Sequence, residues 1–248
     1  GDYSNLGHDI VNHCVNDILP SGAKPFMFLD YLAFSEIEEE KILDVVRGIS
    51  EACKDMSCIL AGGETAQMPD IYKKDDLEVV GFILGIVEKS KVPKINTIKE
   101  GDVMIGLPSN GLHTNGYSLI RKLMKIAEIQ NKMPSEKVIE KLCNPHKCYL
   151  EEVNILLKKI KINGLCHITG GGFVDNPPRI LPEGLKLELD YSKLFKDEIY
   201  DWIKSLDYVT KEEMMKVFNC GYGMLVIISE TELNRLEKGK YDILGKVI

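Results

Sequence analysis

Nine residues, Asp17-Ile18-Leu19-Pro20-Ser21-Gly22-Ala23-Lys24-Pro25, join a predicted helix to a predicted strand near the start of the chain. They place a carboxylate at the end of the helix, then a turn of small residues, then a proline that opens an aromatic-rich strand. Such a backbone can approach a polyphosphate closely while the acid holds the associated metal ion. The stretch therefore favours an ATP-using enzyme. The alternative is an ordinary chain reversal that Asp17 only caps.

The composition is that of a globular protein of one large domain or two modest ones. The chain has 248 residues, of which 44% are hydrophobic and 28% charged, and its net charge is -7. The negative charge argues against nucleic acid, because that binding depends on a concentrated basic surface. The longest apolar run, at residues 82–87, is far too short to span a membrane, and the start of the sequence has no signal-peptide core. We therefore expect neither a nucleic-acid nor a membrane partner.

The seven cysteines are scattered along the chain, and their spacings do not match common zinc motifs. An odd number fits a reducing compartment better than a disulfide scaffold, which favours a cytoplasmic protein. Cys58, Cys166 and Cys220 lie in or beside apolar segments, so we expect them to be core thiols and not nucleophiles.

Hydrophobic periodicity in the first half predicts alternating helices and strands. Apolar residues recur at helical spacing over residues 6–18, and Asp9, His13, Asn16 and Asp17 fall on another side of that helix. The pattern continues with a strand at residues 26–34, a helix at 36–54, a short buried strand at 58–61 and a longer strand at 77–88.

Residues 89–100 are polar, contain Pro93 and form the predicted domain boundary. The predicted domains are residues 1–95 and 96–248. In the second domain the pattern predicts strands at residues 103–107, 165–168, 185–189, 224–228 and 243–247, and helices at 118–128, 136–142 and 149–159. The fold class is therefore mixed α and β in two domains.

A second polar segment, residues 62–66 (Gly-Gly-Glu-Thr-Ala), follows the short predicted strand. Gly62 and Gly63 allow close backbone approach to a ligand, and Glu64 adds a second carboxylate at a strand end. Together with Asp17 this acid suits Mg²⁺, which binds a few carboxylates, phosphate oxygens and water. The alternative is a tight turn with a capping Glu-Thr pair.

A third segment, residues 109–116, contains two Asn-Gly steps between a predicted strand and a predicted helix. Its amides would face an anion at the helix N-terminus, and His113 offers a proton donor or a phosphate contact. The alternative is a well-capped loop with a solvent-facing histidine.

Two further glycine-rich segments lie near the end of the chain. Residues 167–179 contain Gly170, Gly171 and Gly172, and three consecutive glycines usually answer a need for close approach. Arg179 could clamp a phosphate with two hydrogen bonds. The alternative is a flexible connection before a capped helix. For the last segment, residues 218–224, structural packing and ligand contact are equally favoured.

These segments occur in one order along nearly the whole chain, and together they carry a family resemblance. The matching motifs are Asn16-Asp17 with Gly22-Ala23-Lys24-Pro25, then Phe28-Leu29-Asp30-Tyr31, Gly62-Gly63-Glu64-Thr65-Ala66, Gly81-Phe82, His113-Thr114-Asn115-Gly116, Thr169-Gly170-Gly171-Gly172, Asn176-Pro177-Pro178-Arg179 and Phe218-Asn219-Cys220-Gly221. The chain resembles phosphoribosylformylglycinamidine cyclo-ligase, also called aminoimidazole ribonucleotide synthetase, a family of purine biosynthesis.

The sequence departs from the family pattern at several positions. Gln67 stands where the family usually has an acidic residue, and Asp70 stands where a glycine is common. Thr114 takes the place of the more usual serine. His13 stands where the family more often has an apolar residue, so we do not expect it to be catalytic. Family members also carry an N-terminal Asp-Gly-Val-Gly-Thr-Lys segment that helps to form the nucleotide site, and the printed sequence begins after that position.

The resemblance implies a two-domain fold, with an N-terminal sheet domain that binds ATP and dimerises and a C-terminal α/β synthetase domain. It implies an enzyme that converts formylglycinamidine ribonucleotide and ATP into 5-aminoimidazole ribonucleotide, ADP and phosphate. Phosphoryl transfer asks the protein mainly for positioning and charge neutralisation. The implied cofactors are ATP and Mg²⁺, with a monovalent cation left open, and the implied assembly is a homodimer with active sites between domains and subunits.

The resemblance also assigns residues to these roles. Asp17 and Glu64, and then Asp9, would bind the metal. The predicted catalytic residues are His113, Asn115 and Arg179. The predicted ATP- and phosphate-binding residues are Asp17, Gly22, Ala23, Gly62, Gly63, Gly170, Gly171, Gly172 and Asn176.

Two other interpretations remain open at this point. Thiamine-monophosphate kinase and selenophosphate synthetase belong to the same superfamily and transfer phosphate to other acceptors, although the motifs at residues 113–116 and 170–179 argue against them. An inactive binding or assembly module is the alternative from a different class.

Overall fold

The computed structural model describes residues 3–94 and 97–248. It divides into two compact units, residues 1–92 and residues 93–248. The boundary that the sequence predicts between residues 95 and 96 lies outside the described residues. No helix in the described ranges has both the length and the apolar composition needed to cross a membrane.

The first unit is a three-stranded sheet with two long helices. Its elements are α1 (Ser4–Ile18), β1 (Lys24–Phe34), α2 (Glu39–Asp55), β2 (Ile59–Gln67) and β3 (Leu77–Ile86). The strand order is β2-β1-β3, with β1 parallel to β2 and antiparallel to β3. Helix α2 therefore forms the crossover that two parallel neighbours require.

One face of this sheet is buried beneath α1, and the other is exposed and apolar. Phe28 and Leu32 are fully buried, and Gly81 lies directly below Ile10 and Cys14 of α1. Because side chains alternate along a strand, the intervening positions point to the opposite face. The large exposed apolar residues on β2 and β3 are Ile59, Val80, Phe82, Leu84 and Ile86.

Strand β2 differs from the sequence prediction of a short buried strand followed by a glycine loop. The strand runs through residues 59–67, is mostly exposed, and pairs with β1 along its whole length. Its register shifts next to Gly62, whose φ is +150°, and Gly63 leaves space for the Asp30 carboxylate. The two glycines therefore accommodate an irregularity and a close side chain within a strand, and they do not end it.

The second unit packs helices on a five-stranded sheet whose neighbouring strands are antiparallel, in the order β5-β7-β4-β8-β6. Its elements are β4 (Val103–Pro108), α3 (Tyr117–Gln130), α4 (Glu136–Leu142), α5 (Leu150–Lys159), β5 (Ile162–His167), α6 (Gly172–Asp175), β6 (Leu187–Leu189), α7 (Glu198–Ser205), α8 (Lys211–Val217), β7 (Tyr222–Ile228) and β8 (Asp242–Val247). The sequence analysis predicted every strand and α3–α5. It missed α7 and α8, and it considered a helix near α6 only as an alternative. The mixed α and β fold class is confirmed.

Candidate active site

The segment from Asp17 to Pro25 has the predicted local structure. Helix α1 ends at Ile18, a short 3-10 turn covers Leu19–Ser21, and β1 begins at Lys24. Gly22 has a φ of +75° and donates its amide to the Leu19 carbonyl at 2.9 Å, which closes the turn. Ala23 is buried and Gly22 is exposed.

Asp17 lies on the exposed side of the α1 terminus. Its Oδ2 is 3.3 Å from Nε2 of His13, one turn earlier, and 49% of its side chain is exposed. Asn16, which the helical pattern grouped with it, is instead fully buried. The predicted polar stripe therefore divides into an exposed acid paired with a partly buried histidine, and a fully buried amide.

The structure does not gather the three predicted metal ligands within this unit. Glu64 pairs in register with Tyr31, and Tyr31 with Val80, so Glu64 lies on the exposed apolar face. Asp9 and Asp17 belong to α1, which covers the other face. In the ranges described, they do not form part of a group of three potential ligand side chains.

Asp30 is a candidate functional residue that the sequence analysis did not single out. It lies on the α1 side of β1, and burial raises the pKa of its carboxyl above the usual range, partly offset by a backbone hydrogen bond. Its Oδ1 is only 2.5 Å from where a Cβ on Gly63 would be. An acid inside the apolar run of residues 26–34 was the signal that could have identified it.

In the second unit, the loop after β4 is fastened to the loop before β7 by Asn219. This buried amide donates from Nδ2 to the Gly111 carbonyl at 2.8 Å and accepts from the Tyr200 hydroxyl at 2.8 Å. Its Oδ1 also accepts the Gly221 amide at 3.0 Å. Of the two alternatives for residues 218–224, the structure thus supports packing for Asn219.

Asn176 organises the glycine loop after β5. The side chain is buried and donates from Nδ2 to the carbonyls of Gly172 at 2.9 Å and of Thr169 and Gly170 at 3.3 Å. Its Oδ1 faces Nη1 of Arg179 at 3.5 Å, and Arg179 is exposed. Asn176 therefore fixes the shape of the loop from beneath and leaves Arg179 at the surface.

The two predicted binding loops of this unit meet. A Cβ on Gly170 would be 3.5 Å from Oδ1 of Asn115, so the third and fourth segments are neighbours. The structure also places the Asp175 carboxylate against Gly171, an acid that the sequence analysis did not consider. It thus brings together Asn115, the three glycines, Asn176 and Arg179.

His113 lies below this surface and is not solvent-facing. Its ring is 3% exposed and stacks on His146, with ring centroids 4.2 Å apart. The ring centroids of His146 and His167 are 5.3 Å apart, and those of Tyr149 and His113 are 6.0 Å apart. These three histidines form the one group of three potential metal-ligand side chains found among residues 3–94 and 97–248.

The cysteines expected in the core are buried. Cys58, Cys166 and Cys220 are at most 7% exposed. Burial raises the pKa of the Cys166 thiol to about 12 and that of Cys220 further still. Such thiols are protonated at neutral pH and are poor nucleophiles.

Comparison with known protein families shows to which family the chain belongs. The N-terminal domain of the AIR synthase related protein family matches residues 1–87, and its C-terminal domain matches residues 99–248. The chain belongs to the AIR synthase related family. The family resemblance drawn from the ordered motifs is thereby confirmed.

Two relatives are identical to this chain at about two fifths of the aligned positions. The phosphoribosylformylglycinamidine cyclo-ligase of Finegoldia magna is 41% identical over 247 residues, which cover 99% of this chain and 71% of the relative. That of Pseudothermotoga lettingae is 42% identical over 248 residues, covering 98% and 73%.

Solved structures share the fold at low sequence identity. Thiamine monophosphate kinase from Aquifex aeolicus superposes with a TM-score of 0.69 at 17% identity, covering 100% of this chain and 79% of that structure. The Escherichia coli hydrogenase maturation protein HypE gives 0.70 at 15% identity, covering 98% and 73%. At these identities the comparison shows the fold alone.

Proposed function

We propose that this chain catalyses the ATP-dependent ring closure of formylglycinamidine ribonucleotide to 5-aminoimidazole ribonucleotide. The observation that carries the proposal is the 41% identity to a named cyclo-ligase along 99% of the chain. The geometry supports it, because two polar glycine-containing loops meet beside an exposed arginine in the second unit.

The chemistry requires activation of an unreactive formamide. Transfer of the ATP γ-phosphoryl group to the formamide oxygen gives an imidoyl phosphate on the substrate and ADP. The amidine nitrogen then attacks the imidoyl carbon, the new C–N bond closes the ring, and the C–O bond to phosphate breaks. The formamide N–H proton leaves when the imidoyl phosphate forms, and the attacking nitrogen loses its proton on ring closure. Transfer of a proton from the ring methylene to the exocyclic imine nitrogen then gives the aromatic 5-amino product. The protein contributes positioning and charge stabilisation, and no covalent intermediate with a side chain is needed.

In the second unit, we assign the surface of the two loops to the phosphorylated substrate. Arg179 forms a two-pronged contact with phosphate, while Asn115 and the backbone of Gly170–Gly172 approach the transferring group. Asn176 acts as a positioning residue, since its amide is already bonded to three loop carbonyls. The burial of His113 suits it to supporting the 109–116 loop from below.

In the first unit, we assign the turn around Gly22–Ala23 and the β2 glycines, Gly62 and Gly63, to ATP. The carboxylates of Asp17, Asp9 and Glu64 are the hard oxygen donors that suit Mg²⁺, which neutralises phosphate charge when bound. The Glu64 side chain lies on the face of the sheet opposite α1, the helix that carries Asp17, so a single ion bound by one unit would use only one of these two acids. Mg²⁺ commonly binds through one or two carboxylates, with phosphate and water completing the shell. We favour Asp17, and add Asp30 as a partly buried acid on the same side.

We also propose a homodimer and a cytoplasmic location. The exposed apolar face of the first sheet is the surface that a second copy would cover. All seven cysteines are free thiols, which suits a reducing compartment.

The test is an assay of the full-length gene product with formylglycinamidine ribonucleotide, ATP and Mg²⁺. We expect ADP and 5-aminoimidazole ribonucleotide in equal amounts, with ADP formation dependent on the substrate. Thiamine monophosphate and selenide serve as competing phosphoryl acceptors. ADP formation with either acceptor, but not with the amidine, would overturn the proposal in favour of a kinase-type member.

Within the same assay, Arg179→Lys tests the phosphate contact. Because lysine cannot form the two-pronged contact, we expect KM for the ribonucleotide to rise about tenfold, while KM for ATP changes little. Arg121→Lys, at an exposed position on α3, is the matched control. Equal KM values for the two variants would remove Arg179 from the substrate site.

A further inference from the structure

We propose that His113, His146 and His167 form a binding site for one divalent transition-metal ion of the Zn²⁺ type. The three side chains are 3%, 1% and 6% exposed, and each offers a ring nitrogen within 4.8 Å of the other two. This site lies wholly within the second unit and uses none of the acids assigned to ATP.

The spacing of the nitrogens suits a common tetrahedral ion. Two imidazole nitrogens bound to one zinc at its usual distance lie about 3.3–3.4 Å apart. Nε2 of His146 and Nε2 of His167 are 3.3 Å apart in this structure. The distances from the His113 nitrogen to the nitrogens of His146 and His167 are at most 4.8 Å. They would have to shorten by at most about 1.5 Å on binding, a movement that rotation of the His113 ring can supply.

The chain holds each histidine on a different, well-anchored segment. His113 follows β4 at a φ of +62°, and His167 ends β5, where it pairs with Met224 of β7. Gly223 provides the space, because a Cβ there would be 2.3 Å from Cε1 of His113. Oγ1 of Thr114 is 3.4 Å from Nδ1 of His146, so Thr114 orients this ring while Nε2 faces the cluster.

The ligand type selects the class of ion. Imidazole suits Zn²⁺, Co²⁺, Ni²⁺ and Cu²⁺, whereas Mg²⁺ prefers oxygen. Three protein ligands leave a fourth position for water or another small ligand, as in zinc sites that are not purely structural. The competing explanation is a metal-free cluster in which one neutral imidazole donates a hydrogen bond to the next, and the experiment separates the two.

The test is a Co²⁺ titration of chelator-treated full-length protein, followed by visible absorption, with Zn²⁺ as competitor. We expect one equivalent of tetrahedral cobalt without a thiolate charge-transfer band, displaced by Zn²⁺. His146→Gln removes a ligand and should abolish the spectrum. Thr114→Val keeps all three ligands and should weaken binding by about 10- to 100-fold. The double variant His8→Gln/His13→Gln removes the other two histidines of the chain and should bind as the parent does.

A thermal unfolding measurement with and without Zn²⁺ gives a second readout. Binding to the folded state alone raises Tm in proportion to the logarithm of metal concentration, and this rise should disappear in His146→Gln. Circular dichroism without metal establishes that each variant is folded, and Thr114→Val carries the test if His146→Gln does not fold. Absence of a tetrahedral spectrum in the parent, or an undiminished spectrum in both site variants, would overturn the site.

Discussion

Asp17 is placed where a carboxylate can be exchanged with little structural cost. Its side chain is about half exposed, and its Oδ2 lies 3.3 Å from Nε2 of His13 on the same helix. A surface pair of this kind contributes at most about 1 kcal/mol to stability. Any large effect of changing Asp17 would therefore report on ligand binding and not on folding.

We predict that Asp17→Asn weakens the use of Mg-ATP while the protein stays folded. The amide keeps the size of the side chain but is a far poorer Mg²⁺ ligand, so KM for Mg-ATP should rise about tenfold or more. The free energy of unfolding should change by less than about 1 kcal/mol. Asp201→Asn, at an exposed position on α7, is the matched control in both steady-state kinetics and urea denaturation. Unchanged turnover at limiting Mg-ATP would remove Asp17 from the metal site.

At individual positions, the sequence predicted which loops carry polar chemistry better than which side chains point outward. Asn115, Arg179 and the three glycines do meet at one surface, because their spacing follows the ends of β4 and β5. By contrast, the side-chain amides of Asn176 and Asn219 donate hydrogen bonds to loop carbonyls and so hold the loops in shape. His146 was missed because its partners are 33 and 21 residues distant in sequence, and no local spacing marks such a cluster.

The packing of α1 against α2 depends on two glycines. A Cβ on Gly7 would be 2.3 Å from the Val45 carbonyl oxygen, and one on Gly48 would be 2.0 Å from that of Ser4. The obstructing atoms are backbone, which cannot rotate away as a side chain does. The two helices therefore approach more closely than any residue with a Cβ allows.

We predict that Gly48→Ala lowers stability, although the same change in an exposed helix raises it. The helical preference of alanine contributes about 1 kcal/mol in favour of the variant. A methyl group 2.0 Å from a backbone oxygen puts the cost at the upper end of the usual range for overpacking, about 2–3 kcal/mol. The net free energy of unfolding should therefore fall by about 1–2 kcal/mol. Ser50→Ala, at an exposed position of the same helix, should stay within about 0.5 kcal/mol of the parent. Equal midpoints for the two variants in urea would contradict the close helix approach.

Among the elements, those with a strong repeating pattern were predicted well, and those shaped by tertiary contacts were not. Helix α4 has the predicted bounds, residues 136–142, and Ser135 caps it by accepting the Val138 amide. Strand β2 was predicted to end before Gly62, because a glycine pair normally signals a turn. In the structure the strand continues through both glycines, since they pair with β1. Helices α7 and α8 were overlooked, although Asp197 and Thr210 cap their N-termini. At eight and seven residues they are about as short as α4, so their capping residues were the signal that could have identified them.

On the scale of the whole molecule, the exposed face of the first sheet presents a row of large apolar side chains. Phe82 is 61% exposed and Ile86 57%, and they alternate with Leu84 and Val80 along one face of β3. Soluble proteins seldom leave such a continuous apolar face in water, whereas a dimer interface of about 800 Å² per partner would cover it. The sequence predicted this only through the family resemblance, because alternation alone does not tell a core face from an interface.

We predict that the full-length protein is a dimer and that Phe82→Glu converts it to monomer. A carboxylate buried without a partner costs several kcal/mol, so the dimer dissociation constant should rise by about 100-fold or more. Ile129→Glu is the matched control, since Ile129 is 81% exposed on α3 in the other unit and lies outside the sheet face. Sedimentation equilibrium across a concentration series measures both variants. If the parent protein sediments as a monomer, or if Phe82→Glu dimerises as tightly as Ile129→Glu, the β3 face is not the dimer interface, and the apolar surface must be covered by some other contact.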